Sequence, residues 1–410
     1  MLERMEKIPG MRPSILFIGT TCPFGDVSGA GVRTLNLLCL LERIGRVTAV
    51  FATGRDWSAE QLEKTRAAFD VALVSRYESA PMQTIGDRFR KIFDPDFLNT
   101  NGVIVPHEDR KRVEELVDQH DVVWIHTLKL ANSFRRFHWP HTIVDVDDFP
   151  SRFHRSAAGL APSLKMKLMR HQKAFSWRRH EKNCLKRFDL LAVCKEADRE
   201  SFGDPSRVHV VPNGFNAPEA AAAAVVRRND WLGMIGDFNY LPNHDGLRWF
   251  MREVWGWVRE QVPGVELRLI GKGSDVIART FPGAGVSGLG YVPDVAEETG
   301  SWSCMIVPTR LGGGTHLKVA EGLARKVPIV TTSHGSRGYR LVAGEQAFIS
   351  DDPSEFAKAC VTLLRDPDAR DRMSAAGWRL FCAHYSWDSI QPAVERAVSA
   401  CLSRSDRSKS

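Results

Sequence analysis

The sequence predicts an α/β protein built from two doubly wound domains, and three observations carry that prediction. Short runs rich in Val and Ile recur along the chain, each followed by a longer polar or amphipathic stretch. The runs are continuously apolar, as strands are when helices cover both faces of a parallel sheet. The series also stops once, at an Ala-rich polar stretch, and then begins again.

Taken in order, the first-half strands are ILFIG at 15–19, RVTAVFA from Arg46, DVALVS from Asp70, DVVWIH from Asp121, HTIVDVDD from His141, LLAVC from Leu190 and VHVVP from Val208. The break is PNGFNAPEAAAAAVVRRND, beginning at Pro212. The pattern resumes with WLGMIG from Trp231, VELRLIG from Val265, CMIVP from Cys304, PIVTT from Pro328 and AFIS from Ala347, separated by helical stretches that include THLKVAEGLA. The tail is helical in pattern through Trp387 and ends in SRSDRSKS, which is expected to fray. The expected domains are residues 1–213, residues 214–385, and a terminal helix and tail over 386–410. Open α/β sheets bind ligands at their carboxyl strand ends, so the site is expected in a crevice that two such sheets would share.

Composition bounds the rest. A chain of 410 residues with 43% hydrophobic and 26% charged residues can bury a sizeable core, which excludes disorder, collagen and mini-protein scaffolds. No run reaches the ~18 to 20 apolar residues that span a bilayer, and MLERMEKIPGM lacks the apolar core of a signal peptide, so a cytoplasmic location is expected. The eight cysteines stand at isolated positions without zinc or redox spacing; reduced thiols and no metal are expected. Of the net charge of +7, the first 215 residues carry +6, with 33 Lys and Arg against 27 Asp and Glu. Residues 151–190 hold eleven Lys or Arg against Glu181 and Asp189, interleaved with Leu164, Met166, Leu168, Met169, Phe175 and Trp177. This segment, 152–187, has two readings: contact with the inner face of an anionic membrane, or a helix whose apolar side packs on the sheet. No nucleic-acid recognition motif accompanies the charge.

The strongest local signal is VPTRLGGGTHLKVAEGLARKVPIVTT. A strand ending at Pro308 meets Gly312, Gly313 and Gly314 directly before a helix opened by Thr315. Glycines let backbone amides approach a ligand closely, and a helix start favours an anion. On that helix Lys318 and Glu321 follow at spacings of three, so Thr315, Lys318 and Glu321 are expected on one face. A Lys neutralises diphosphate charge; an ionised Glu has only acceptors and suits vicinal hydroxyls. The constellation describes a sugar nucleotide. Neither the P-loop sequence nor the dinucleotide fingerprint of three spaced glycines occurs here. In the first half, Gly29 and Gly31 fall between the first strand and its helix, with Arg33 beside them.

Together with SGAGVRTLNLL from Ser28, VPNG from Val211 and IGDFNYLPNHDGLRWF from Ile235, this segment resembles the retaining glycosyltransferases of the GT-B fold, family 4, the group 1 transferases. The resemblance runs from residue 14 to about residue 390. It implies two Rossmann-like domains facing a cleft and a terminal helix crossing back to the first domain. It also implies a nucleoside diphosphate sugar held by the second domain, a glycan or lipid-linked acceptor docked on the first, and retention of configuration without metal or cofactor. By that resemblance Glu321 accepts from ribose hydroxyls, Lys318 faces the diphosphate, and His126 lies beside the reacting end of the donor sugar. Gly236, Asn243, Tyr291 and His316 join the glycine loop as expected substrate contacts. Asp145, Asp147 and Asp148 cluster after their strand, where one of them, with Asp148 carried forward, would orient an acceptor hydroxyl.

Two departures from the family pattern stand out. Gly313 occupies the place of the earlier Glu of the paired-glutamate motif. GDFNYLPNHDG offers Asp237, Asn239 and Asn243 where many members carry an Arg and a Lys, so Lys318, His316, Arg310 or Arg33 must supply the positive charge. The expected activity is sugar transfer in polysaccharide or glycoconjugate assembly. A catalytically silent sugar-nucleotide binding protein and a nucleotide-sugar epimerase are the alternatives.

Overall fold

The strands predicted from the apolar runs fall into two separate parallel sheets, with order 3-2-1-4-5-6-7 in the first and the same 3-2-1-4-5-6 pattern in the second. The computed structural model describes residues 12–409 apart from 26–27, 82–83, 95, 101, 218–226 and 293. The opening MLERMEKIPG and Met11, and the centre of the Ala-rich break, therefore lie outside the described residues.

The first unit comprises residues 1–151, 168–211 and 391–410. Besides a short antiparallel pair, Glu78–Ser79 with Val103–Ile104, its sheet is built from β1 (Ser14–Gly19), β2 (Arg46–Thr53), β3 (Asp70–Arg76), β4 (Val122–His126), β5 (Trp139–Val146), β6 (Phe188–Val193) and β7 (Val208–Val210). All neighbours pair in parallel, with β1 between β2 and β4. Strand order reverses between β1 and β4, which makes their carboxyl ends the switch point of this sheet. Leu16, Ile18, Val50, Val123, Ile125, Val144 and Val193 fill one core, with Trp139 and Trp177. The last helix among the described residues is Trp387–Lys409, so residues 403–409 of the stretch expected to fray are helical in their backbone. From Gln391 onward it belongs to the first unit, where Gln391 donates to the Leu40 carbonyl at 3.5 Å.

The second unit comprises residues 152–167 and 212–390. Its strands are β8 (Trp231–Ile235), β9 (Glu266–Ile270), β10 (Val286–Gly288), β11 (Cys304–Val307), β12 (Ile329–Thr331) and β13 (Phe348–Ile349). Strand β10 was not expected: VSG holds a single large apolar residue, so no pattern announces it. Cys304 and Ile306 point into the core shared with Leu232, Leu267 and Phe356, whereas Met305 and Val307 pack with Val319, Leu323 and Phe381 on the opposite face. That alternation within a fully buried strand is what two-sided helical cover requires. The switch point of this sheet lies between the ends of β8 and β11.

The basic segment is helical over Pro150–Ala158 and Leu164–Lys182. Ala174, Ser176, Trp177, His180 and Glu181 are buried on the second helix, while Leu164, Met166, Leu168, Met169 and Phe175 are exposed. The packing reading therefore holds for Trp177 and fails for the other large apolar residues singled out in this segment.

Candidate active site

At the switch point of the second sheet, the loop after β8 opens with Gly236. A Cβ at Gly236 would stand 2.7 Å from Asn243 Nδ2 and 3.2 Å from Lys318 Nζ, so the glycine leaves room for both side chains. Gly271, after β9, is held at φ 110°, and a side chain there would strike the Gly236 carbonyl at 2.4 Å. The two loops are thus in backbone contact because neither has a Cβ at the crossing.

Lys318 comes from the helix Leu317–Ala324, which follows β11 and the glycine loop. Its Nζ donates to Asn243 Oδ1 at 2.8 Å, and Asn243 Nδ2 donates to the Asp237 carbonyl at 2.9 Å. The ammonium is thereby oriented by a neutral amide. Burial pulls its pKa down to about 8, with Glu321 acting weakly in the other direction. Glu321, one turn on, accepts from Arg325 Nε at 3.0 Å. Burial raises the Glu321 pKa, with Arg325 and Lys318 opposing.

A depressed lysine pKa has a definite sign. Without ligand, the buried cation disfavours the fold below about pH 8, and that cost is relieved as pH rises toward the ordinary lysine value of 10.5. An anion at Nζ reverses the balance by favouring the ammonium. Nucleoside diphosphate affinity is therefore expected to fall by up to about tenfold per pH unit above pH 8. Titration calorimetry from pH 7 to 9.5 checks this, and a flat profile would remove the lysine from the site.

The glycine loop differs in detail from expectation. Gly312 has φ 137°, which only glycine adopts readily, and its N–H is directed to Ser156 Oγ at 3.4 Å, a long contact. Thr315 does not open the helix: the cap position is His316 and the first helical residue is Leu317. The Thr315 hydroxyl instead accepts from Asn213 Nδ2 at 2.7 Å. Lys318 and Glu321 share a helix face without Thr315. The His316 carbonyl accepts from Tyr339 Oη at 3.0 Å, and its ring lies 5.6 Å from that of His334. Gly313 is buried and Gly314 half-buried beside them.

Among the candidate cations, Arg310 is committed to Asp245 through contacts of 2.9 and 3.2 Å. Tyr291 is 83% exposed, and among the described residues no hydrogen bond joins it to this network. Ser156, Asn213, Tyr339 and His334 were missed by sequence reasoning. Of these only Asn213 had a signal, the VPNG segment.

The first unit corrects two expectations. Arg33 is 1% exposed and makes a bidentate pair with Asp145, Nε to Oδ2 and Nη2 to Oδ1 both at 2.8 Å, with a further bond to the Val211 carbonyl at 3.2 Å. Burial opposes its charge and Asp145 more than restores it, so the guanidinium holds its proton more tightly than usual. It is not available to a phosphate. The Gly31 N–H is likewise taken, donating to Ser28 Oγ at 3.2 Å as a helix cap; Gly29, two residues earlier, is exposed.

His126 ends β4 fully buried, with Nδ1 3.1 Å from Thr34 Oγ1 and Nε2 3.7 Å from Asp147 Oδ2. It reads on Asp147, and the expected direct contact with a sugar has no open face here. Burial raises the Asp147 pKa, but the neighbouring His126 and, behind it, Arg33 and Lys129 outweigh it and the net shift is downward; at 3.7 Å the His126 contact is no hydrogen bond. Asp148 behaves oppositely: burial and the charge of Asp147 raise its pKa. Its Oδ1 is buried without a hydrogen-bond partner among the described residues. Thr127, directly after His126, is held at φ 120°, a strained conformation for a non-glycine residue. Of the three aspartates, Asp145 and Asp147 are engaged, and Asp148 retains an unused acceptor.

These observations meet the comparisons with known proteins. Residues 229–366 match the Glycosyl transferases group 1 family. The matched residues lie within the second unit. A protein described as an uncharacterized 44.6 kDa protein in the cps region of Klebsiella pneumoniae is 22% identical over 378 residues, which cover 86% of this chain and 91% of that protein. The Anabaena protein Alr3699/HepE, solved with UDP and glucose, superposes with a TM-score of 0.62 at 13% identity, covering 95% of this chain and 100% of its own. Sucrose-phosphate synthase from Thermosynechococcus elongatus gives 0.65 at 14%, covering 96% and 100%. WaaG, a glycosyltransferase involved in lipopolysaccharide biosynthesis, gives 0.59 at 12%, covering 93% and 99%. At such identities the likeness is one of fold: two Rossmann-like domains, as in GT-B glycosyltransferases. No helix among the described residues is long and apolar enough to cross a membrane.

Proposed function

We propose that the chain transfers a sugar from a nucleoside diphosphate sugar to a hydroxyl of a glycan or lipid-linked acceptor, with retention of anomeric configuration and without a metal ion, in polysaccharide or glycoconjugate assembly. The observation that carries this reading is Lys318, an ammonium oriented by the neutral Asn243 at the switch point of the unit that matches the transferase family. A diphosphate is the ligand that such a group, beside a glycine-rich helix approach, is suited to hold.

In the proposed reaction the bond from the anomeric carbon to the diphosphate oxygen breaks, and the acceptor oxygen bonds to that carbon on the same face. The acceptor proton passes to the departing diphosphate oxygen, so no enzyme nucleophile is formed. Lys318 balances the negative charge that grows on the leaving group, an electrostatic contribution of the preorganised kind. Glu321 receives ribose hydroxyls with the acceptor capacity that Arg325 leaves. On the acceptor side Asp148 orients the hydroxyl through Oδ1, while His126 and Asp147 fix its surroundings. Because HepE was solved with UDP, uridine diphosphate sugars are the first donors to try.

A thermal-shift screen against uridine, guanosine and adenosine diphosphate sugars identifies the donor, since a ligand specific to the folded chain raises its melting temperature. Transfer is then followed by proton NMR of the product in the presence of chelator. The expected result is a retained anomeric configuration and, for Asp148→Asn, a transfer rate lower by about 100-fold with donor affinity unchanged. Nucleotide-sugar binding without transfer to any acceptor would favour a binding module; an inverted product would refute the mechanism.

A further inference from the structure

In the first unit, helix Ile85–Phe93 and residues 168–182 of helix Leu164–Lys182 carry exposed apolar side chains that the transferase reading does not use. On Leu164–Lys182 the buried residues Ala174, Trp177 and Glu181 define the inner face. Leu168 and Phe175, seven residues apart, fall almost opposite Trp177 at 100° per residue. They are 61% and 51% exposed. The helix Ile85–Phe93 lies alongside: Ser176 Oγ donates to the Lys91 carbonyl at 2.6 Å, and Arg179 Nη2 donates to the Phe93 carbonyl at 2.9 Å. It presents Phe89 and Phe93, each 61% exposed, with their rings stacked 6.4 Å apart. Four large apolar side chains in water on two adjacent helices are more than the scattered exposure of ordinary surfaces.

The charge around them is mainly positive: on helix Ile85–Phe93, Asp87 accepts from the Thr84 N–H and hydroxyl at the cap, and Asp94, directly after it, pairs with Arg90 at 3.2 Å. Residues 168–182 hold Arg170, Lys173, Arg178, Arg179 and Lys182 against Glu181 alone, and Glu181 is buried on the Ser151 backbone and hydroxyl. Lys91 is half-buried, and burial together with the charge of Lys173 lowers its pKa, a crowding that an anion would relieve. We propose that the outer faces of helix Ile85–Phe93 and of residues 168–182 form a docking surface for an anionic lipid bilayer, with Phe89, Phe93, Leu168 and Phe175 entering the headgroup boundary and the Lys and Arg side chains meeting lipid phosphates. A second copy of the chain is a poor occupant, because a two-fold contact would set two positive faces together. A nucleic acid is also a poor one, because Leu168 and Met169 have no π face and the two phenylalanines stack on each other.

This surface lies outside residues 229–366, so the inference goes beyond the transferase reading and its test needs no turnover. The full chain is sedimented with phosphatidylcholine vesicles and with phosphatidylcholine–phosphatidylglycerol vesicles. Binding is expected only to the anionic vesicles and is expected to weaken as salt rises. Phe89→Ser combined with Phe93→Ser and Phe175→Ser, and separately Arg178→Gln combined with Lys182→Gln, the exposed cations on the side of Leu168 and Phe175, should each reduce partitioning by at least about tenfold. The circular dichroism spectrum and melting temperature should stay as in the unaltered chain, which shows that the variants are folded. Failure of the unaltered chain to bind anionic vesicles, or variants that bind as it does, overturns the proposal. So does a dimer or an RNA complex that the same substitutions abolish while no vesicle is bound.

Discussion

Lys318→Met is expected to weaken nucleoside diphosphate binding by about 10- to 100-fold, the equivalent of losing one charge-assisted hydrogen bond of about 1.5 to 3 kcal/mol. The substitution keeps most of the side-chain volume and removes the charge. Asn243 then lacks the donor at its Oδ1, and the Gly236 crossing is otherwise intact. Arg310 is spent on Asp245 and Arg33 on Asp145, so neither replaces the missing cation. The variant should also lose the pH dependence of affinity above pH 8. Calorimetry on both proteins at pH 7 and pH 9 measures both effects at once, and equal affinities at pH 7 would contradict the assignment.

Asp145→Ala should be the most damaging single change in the first unit, destabilising it by about 3 to 5 kcal/mol, because it removes the carboxylate that the buried Arg33 guanidinium holds in bidentate contact and leaves the more weakly coupled Asp147. The Val211 carbonyl remains as a partner at 3.2 Å and cannot neutralise it. Burying an ion pair is itself costly, so the combination Arg33→Met with Asp145→Leu is expected to recover most of the loss. Denaturant unfolding of Arg33→Met, Asp145→Leu and the double closes the cycle. A Asp145→Ala protein as stable as the original would mean that Arg33 has another acceptor. The pair ties helix Gly29–Ile44 to strand β5, and with it the Thr34, His126 and Asp147 contacts at the same sheet edge.

Which parts of this were legible in sequence follows from what each signal depends on. ILFIG, DVVWIH and CMIVP announce strands because burial on both faces demands apolar residues at every position. VSG at 286–288, on the sheet edge, has no such demand and went unread. That a glycine loop separates β11 from the helix carrying Lys318 was legible because three glycines before an amphipathic run leave a local pattern. Arg33 was misread because a first-turn arginine looks the same whether its partner is a phosphate or a carboxylate 112 residues later. Thr315 was misread as the helix start because a threonine before a helical run is an ordinary cap, and here Asn213 claims the hydroxyl. On Leu164–Lys182 the apolar residues occupy both sides of the helix, so periodicity alone had no means of telling Trp177 inward from Leu168 and Phe175 outward.

The central claim is that a nucleoside diphosphate is held by Lys318 and the amides of the glycine loop. A crystal structure of the chain soaked with uridine diphosphate, or with whichever nucleotide the thermal screen selects, addresses it without assumptions about acceptor or turnover. The account predicts phosphate oxygens within hydrogen-bonding distance of Lys318 Nζ and of a backbone N–H in residues 312–314. Density for the nucleotide elsewhere, with Lys318 still bonded only to Asn243, would contradict it.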